Sequence, residues 1–287
     1  MDLPSLEPIR NEDLPEFCRF LADNLDRTRP AAAWEEAFRQ NWCTGKPNNG
    51  FLLRHEGRIV GGIGAIYSER SVRGRIERFC NITSWCVQER FRAQSMRLAM
   101  ALTGQAGFHF SDLTPTAVVS GTLQFLKFKP MNERQAIWAN LPWPFATLAG
   151  VRIVVDAAAF ARVLGPEDAK AYHDHRHLPW LEHAALGSSA GRWCYVVWKR
   201  TQLKGVAGAF VLALSDAEAF LRCRWAFGSH LLLRHGLAFT RVECRLLPRV
   251  PRFCIELSGY RSKVFRSDTL TAVDVSNLYT EVVALDL

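Results

Sequence analysis

The chain has 287 residues, 48% hydrophobic and 22% charged, a composition that excludes disorder and leaves room for one large core or two smaller ones. No run reaches the roughly 18 uninterrupted apolar residues of a membrane span, and Met1 to Arg19 carries scattered acids without an apolar signal core, so the cytoplasm is the expected address. The net charge of +8, from 36 basic and 28 acidic residues spread along the chain, comes with no nucleic-acid motif, and nucleic acid is not an expected partner.

LEPIRNEDLPEFCRFLADNLD predicts a short strand ending near Arg10, then an Asn11 cap, acids in the first turn and an amphipathic helix to about Leu25. A second helical segment spans about Ala31 to Asn41 and is followed by a loop holding Gly45, Pro47, Asn48 and Asn49. GFLLRHEGRIVGGIGAIYSERSV then reads as two antiparallel strands joined at Glu56-Gly57, because such a pair supplies the left-handed residues of a tight hairpin. Arg73 to Arg78 reads as a polar break before a strand over Phe79 to Val87.

From Ile82 to Leu102 the apolar strand breaks into a polar, arginine-containing turn and re-emerges as an apolar helix beginning at Ser95. A helix N terminus presents unpaired N–H groups and a partial positive charge, so this turn suits a phosphate or pyrophosphate. Phe108 to Thr114 is a strand candidate, and TAVVSGTLQFLKF reads as a short helix running into a strand. The strand-turn-helix run resembles the acyl-CoA-binding segment of the GCN5-related N-acetyltransferase (GNAT) superfamily, where Arg/Gln-x-x-Gly-x-Gly/Ala heads the helix. The corresponding residues are Arg92, Ala93, Gln94, Ser95, Met96 and Arg97; the arginine matches and the two glycines do not. The element order over Leu6 to Lys129 is similar to the GNAT plan as well.

The resemblance implies a set of roles. Acyl-CoA would be the donor, with Arg92 to Arg97 around its pyrophosphate and Trp85, Cys86 and Val87 of the preceding strand along its acyl arm. Leu126-Lys127-Phe128 stands where many members have Leu-Gly-Phe, which puts Thr116 at a usual asparagine and Leu123 at the tyrosine that commonly protonates the departing thiolate. Glu77 and Glu69, near the ends of two strands, are the candidate bases for the acceptor's proton. Cys86 as an acyl-accepting nucleophile would need a histidine beside it.

NLPWPFATLAG, Asn140 to Gly150, reads as a boundary between a first domain over 1–140 and a second over 150–287. The second half offers a helix from about Ala157 to His177 with Pro166 starting a fresh turn, apolar runs at Trp193 to Trp198 and Gly205 to Leu214, and a helix at Ala217 to His235. Strand candidates follow at Thr240 to Leu247, Phe253 to Leu257 and Thr280 to Leu285. Helix, two strands, helix, strand roughly repeats the first half, which points to a second, diverged unit of the same kind.

His173 and His177 lie four apart, a spacing that places two metal ligands on one helix face, while Arg176 and the nearby charge also suit an exposed helix end. No third ligand is fixed by spacing, and no metal is expected. Trp138, Trp143 and Trp180, near the boundary, could seal the two halves together. None of the eight cysteines forms a C-x-x-C pair, and several sit in apolar runs as small hydrophobes.

The expected fold is therefore α+β, a mixed and mostly antiparallel sheet with flanking helices, in two tandem units. The expected activity is acyl transfer from acyl-CoA, or from an acyl carrier protein, to an amine or hydroxyl of a small-molecule or sugar acceptor. The alternative is a degenerate protein of the same fold that binds a ligand or partner and catalyses nothing.

Overall fold

The computed structural model describes residues 3–40, 42–143, 150–187, 192–259 and 261–287. The chain divides into two compact units, residues 1–131 with 261–287, and residues 132–260.

The first unit runs β1 (Ser5–Pro8), α1 (Leu14–Asn24), α2 (Ala31–Arg39), β2 (Gly50–His55), β3 (Arg58–Val72), β4 (Arg75–Val87), α3 (Ser95–Thr103), β5 (His109–Asp112), α4 (Ala117–Phe125) and β6 (Lys129–Pro130). The second holds β7 (Gln135–Ala139), β8 (Arg152–Val154), α5 (Ala157–Val163), α6 (Pro166–His175), β9 (Glu182–Gly187), β10 (Cys194–Leu203), β11 (Val206–Leu214), α7 (Ala217–His235), β12 (Phe239–Glu243) and β13 (Ile255–Leu257). The chain then returns to the first unit with β14 (Val264–Arg266) and α8 (Glu281–Ala284).

Each unit is built on a 7-stranded sheet, ordered β1-β2-β3-β4-β5-β14-β6 in one and β8-β9-β10-β11-β12-β7-β13 in the other. The orders correspond strand for strand. In each, three antiparallel strands are followed by a helix and a strand parallel to the third, β4 with β5 and β11 with β12. The position after that parallel strand is filled by a segment from the other half of the sequence, β14 between β5 and β6, and β7 between β12 and β13.

The core of the first unit explains the sequence of β3. Ile63, Ala65 and Tyr67 pack with Leu98, Ala99 and Leu102 of α3 on one face. On the other face α1 and α2 press two rings onto bare backbone: a Cβ on Gly62 would lie 2.4 Å from the Phe17 ring, and one on Gly64 would lie 2.5 Å from Phe38. The GGIGA run is thus a strand covered on both sides, with glycine where the helices come closest. In the second unit Cys194, Val196 and Trp198 of β10 meet Phe220, Phe227 and Leu231 of α7. Helix α7 is closed at its start by the Asp216 side chain, which accepts from the Ala219 amide, and at its end by Gly236 at φ 68°.

Several expectations need correcting. The Arg73 to Arg78 break is only the turn Arg73-Gly74, both residues at positive φ, and Arg75 to Arg78 already belongs to β4, where their polarity reflects an exposed end of a long hairpin. Thr280 to Leu285 forms α8 rather than a strand, and after β12 the chain turns into a 3-10 helix at Cys244–Leu246. The second helix ends at Arg39, and Asn41 lies outside the described residues, as do 144–149 of the expected boundary. The compact units also differ from the split at 1–140 and 150–287, because β7 pairs with β12 and β14 pairs with β5. Helix α6 stops at His175, so His173 and His177 do not share a helical face; His175 is buried with Nδ1 on the Ala171 carbonyl oxygen.

Trp138 packs against Phe220 and Trp143 stacks on Trp225, both within the second unit. No helix among the described residues is long and apolar enough to cross a membrane.

Candidate functional site

Strand β4 is longer than its pairing with β5. The parallel register covers Phe79↔His109, Cys80↔Phe110 and Asn81↔Ser111, after which β5 ends at Asp112 while β4 continues to Val87. Residues 82–87 therefore have β3 on one side and no strand on the other, which leaves a fork in the sheet. Within it β4 bulges: Gly62 pairs with Cys86 and Gly64 with Thr83, so Ser84 and Trp85 together face Ile63, and Ser84 takes φ 53°. A free strand edge with a bulge offers backbone N–H and C=O groups to an extended ligand.

The fork leads to the head of α3. Gln88 donates to the Val60 carbonyl oxygen, and a 3-10 helix over Glu89–Gln94 then runs straight into Ser95. The Phe91 amide is held by the Gln88 carbonyl and the Ser95 amide by that of Arg92, so this turn occupies amides that a glycine-rich loop would leave free. Arg92 is exposed and pairs with Glu89 at 2.6 Å, an exposed contact worth little and readily exchanged for a phosphate. Ala93 is exposed; Gln94, Ser95 and Met96 are half-buried. Arg97 donates to the Pro4 carbonyl oxygen at 3.1 Å and to Gln94 at 3.2 Å, tying β1 to α3.

Trp85 stands on the free stretch of β4 and packs against the first core, yet its indole Nε1 is buried without a hydrogen-bond partner among the described residues. A buried donor left unpaired costs roughly 1–3 kcal/mol, a cost that an acceptor on a ligand at this edge would relieve. Burial pushes the Cys86 thiol up from its ordinary value, the opposite of what an acyl-accepting nucleophile requires. Thr116 caps α4 by accepting from the Val119 amide, and Leu123 is fully buried in the first core.

Glu69 on β3 and Glu77 on β4 lie at the other end of the β3–β4 hairpin. Glu69 pairs with Arg78 at 3.5 Å, and Glu77 meets Nε2 of His109 at 3.0 Å. The Ser267 hydroxyl accepts from the Leu270 and Thr269 amides, so its proton goes to His109 Nδ1 at 2.8 Å and Nε2–H points at Glu77. With both lone pairs occupied, Ser267 closes a turn and is a poor nucleophile.

Two carboxyl groups beside the fork escaped sequence reading. Asp112 ends β5, and Glu281 begins α8 with Oε1 accepting from the Leu113 amide at 2.7 Å and the Thr114 hydroxyl at 3.0 Å. The Asn81 side chain fixes this corner, donating to Ser111 and accepting from the Glu281 amide. Burial raises both carboxyl groups above their ordinary values, Asp112 further through the charge of Glu281. Glu281 Oε2 has no hydrogen-bond partner among the described residues. The only signal in the sequence was an acid at the end of the short FSD strand.

The second unit repeats the parting of strands, since β12 pairs with β11 over Gly208–Val211 and β11 continues to Leu214. There the joint to the helix is only Ser215-Asp216, and the Asp216 carboxylate accepts from the Ala219 amide at the start of α7, with Glu218 in the first turn. Its own acid fills the place an anion would take.

No family model matches the chain, and no curated protein does. Solved structures do. A GCN5-related N-acetyltransferase from Anabaena variabilis is similar at TM-score 0.59 and 9% identity, over 91% of this chain and 72% of that one. One from Kribbella flavida gives 0.56 and 16%, over 92% and 71%. Eis1 from Mycobacterium abscessus gives 0.50 and 14%, over 92% and 73%.

Proposed function

We propose that this chain, which has the fold of the GNAT superfamily in two tandem units, is an acyltransferase whose acyl-CoA donor is held by the first unit alone. The observation that carries the reading is the fork between β4 and β5, which opens at Asn81 and ends on the head of α3, with the unpaired Trp85 N–H buried on its free edge. The donor's extended amide arm suits the open backbone edge of β4, and Arg92 can leave Glu89 for its phosphates. The second unit lacks such a place, because Asp216 repels an anion at α7.

In this reading an acceptor amine attacks the thioester carbonyl, the C–S bond breaks, and the acceptor's proton leaves as the thiolate gains one. We assign the proton handling to Asp112 at the end of β5 and Glu281 at the start of α8, beside the fork, rather than to Glu69 of β3 and Glu77 of β4, which stand at the far end of that hairpin. Two buried carboxyl groups that favour the protonated form are costly to a fold, and such perturbed groups cluster where chemistry needs them.

The test is calorimetric titration with acetyl-CoA, a longer acyl-CoA and free CoA, on the natural chain and on Trp85→Phe and Arg92→Ala. Saturable binding weakened by both substitutions supports the reading. Binding that neither substitution alters moves the donor elsewhere, and no binding to any of the three rejects a CoA donor. The non-catalytic alternative has its own support in the internally bonded turn at Glu89–Gln94 and in Leu123 where a tyrosine is usual. It predicts binding without any release of free thiol in the presence of amine acceptors.

A further inference from the structure

A cleft of about 660 Å³ opens on the second unit, where β9 runs past the end of its short neighbour β8. Its walls are mixed, with Phe160 of α5, Tyr172 of α6 and Leu181 beside the polar Glu182, His183 and Arg234. This is the size range of small-molecule sites.

Inside it, His183 is held with unusual care. Its ring lies parallel to that of Tyr195, and Nδ1 meets the Tyr195 hydroxyl at 2.8 Å. Tyr172 packs edge-on against it at 5.2 Å. Yet Nε2 is buried and has no partner among the described residues. Burial, aided by His175, lowers the ring's pKa to about 4, so the imidazole is neutral and its second nitrogen offers one hydrogen bond that none of the described residues takes up.

The charges at the cleft narrow the chemistry. Glu182 and Arg234 both line it, and no ion pair joins either to another described residue. His230 and His235 lie beside Arg234, and burial lowers the pKa of His230, with the two neighbouring charges adding to the effect. A plain carboxylate would meet Glu182, and a plain amine would meet Arg234. A ligand carrying both charges meets neither penalty.

We propose that this cleft binds a free α-amino acid with a hydrophobic or aromatic side chain. The side chain rests against Phe160 and Tyr172, Arg234 and Glu182 take the carboxylate and the ammonium from the α7 side of the β9 edge, and His183 Nε2 gains a hydrogen-bond partner. The site belongs to the second unit and stands apart from the acyl-transfer reading.

The test is calorimetric titration of the full chain with L-phenylalanine, L-leucine, glycine, N-acetyl-L-phenylalanine and phenethylamine. Saturable binding of phenylalanine or leucine is expected, with at least a tenfold loss for the ligand lacking the ammonium, for that lacking the carboxylate and for glycine. Arg234→Ala, at an exposed position, should bring phenylalanine down to the level of phenethylamine, and Glu182→Gln to that of the acetylated ligand. On ¹⁵N-labelled protein the His183 Nε2 resonance should move on saturation. Equal binding of phenylalanine and its acetylated or decarboxylated analogue overturns the assignment, as does no saturable binding of either amino acid by a chain whose circular dichroism shows it folded.

Discussion

Replacing Glu281 by glutamine should make this protein more stable in mild alkali and leave it unchanged in acid. Glu281 is 0% and Asp112 5% exposed, and burial holds both carboxyl groups above their ordinary values. In the unfolded chain they ionise near pH 4, so unfolding above that pH releases protons; stability is full below about pH 4 and declines as pH rises toward the folded values. Glutamine keeps the Oε1 acceptor that holds the Leu113 amide and the Thr114 hydroxyl, and replaces the unpartnered Oε2 by a donor. Relief of one buried charge is worth about 1–3 kcal/mol at pH 8. For a unit of this size that is a rise in Tm of roughly 2–10 °C. Scanning calorimetry of both proteins at pH 4.5 and pH 8 reads the difference, which should be small at the first and full at the second. A lower Tm at pH 8, or an equal shift at both, would refute the account of a strained carboxyl pair. If the pair also handles the acceptor's proton, the same variant loses turnover while gaining stability.

Gly62→Ala should destabilise the first unit by about 1–3 kcal/mol in urea unfolding, because its Cβ would sit 2.4 Å from the Phe17 ring. Phe17→Leu in the same chain should recover part of that loss. Asp216→Asn keeps an acceptor for the Ala219 amide and should cost under about 1 kcal/mol, leaving CoA titration unchanged if the donor belongs to the first unit. His183, lowered to about 4 by burial, gives stability that is present above its unfolded pKa near 6.5 and lost as pH falls through the window to about 4. His183→Gln should flatten that acid limb relative to the natural chain.

What could be read from the sequence was what short-range physics decides. Glu56-Gly57 takes two positive φ values and makes the hairpin expected of it, Pro166 opens a fresh helix, and Asp216 with Gly236 bounds α7 at the residues its periodicity indicated. What could not be read were pairings between remote segments. VFR at Val264–Arg266 is too short to declare itself a strand, and only its place between β5 and β6 makes it one. The EVVAL run fits strand or helix equally, and packing chose α8. The same distance hid the acid pair: Glu281 reaches the Leu113 amide across 168 positions, so no local spacing could join the two acids. Arg92 to Arg97 were legible as a segment, but their 3-10 winding was not.

The exchange of β14 and β7 bears on how the polypeptide is made. During synthesis the first sheet must wait with a gap between β5 and β6 until the segment after β13 has left the ribosome, and the second takes up a strand translated well before its own. Such late, long-range closure is slow, and the waiting edges are open to any passing strand. Two genes cut at the middle of this sequence would each encode an incomplete sheet; paired in one cell, they would be expected to restore the protein only by trading strands.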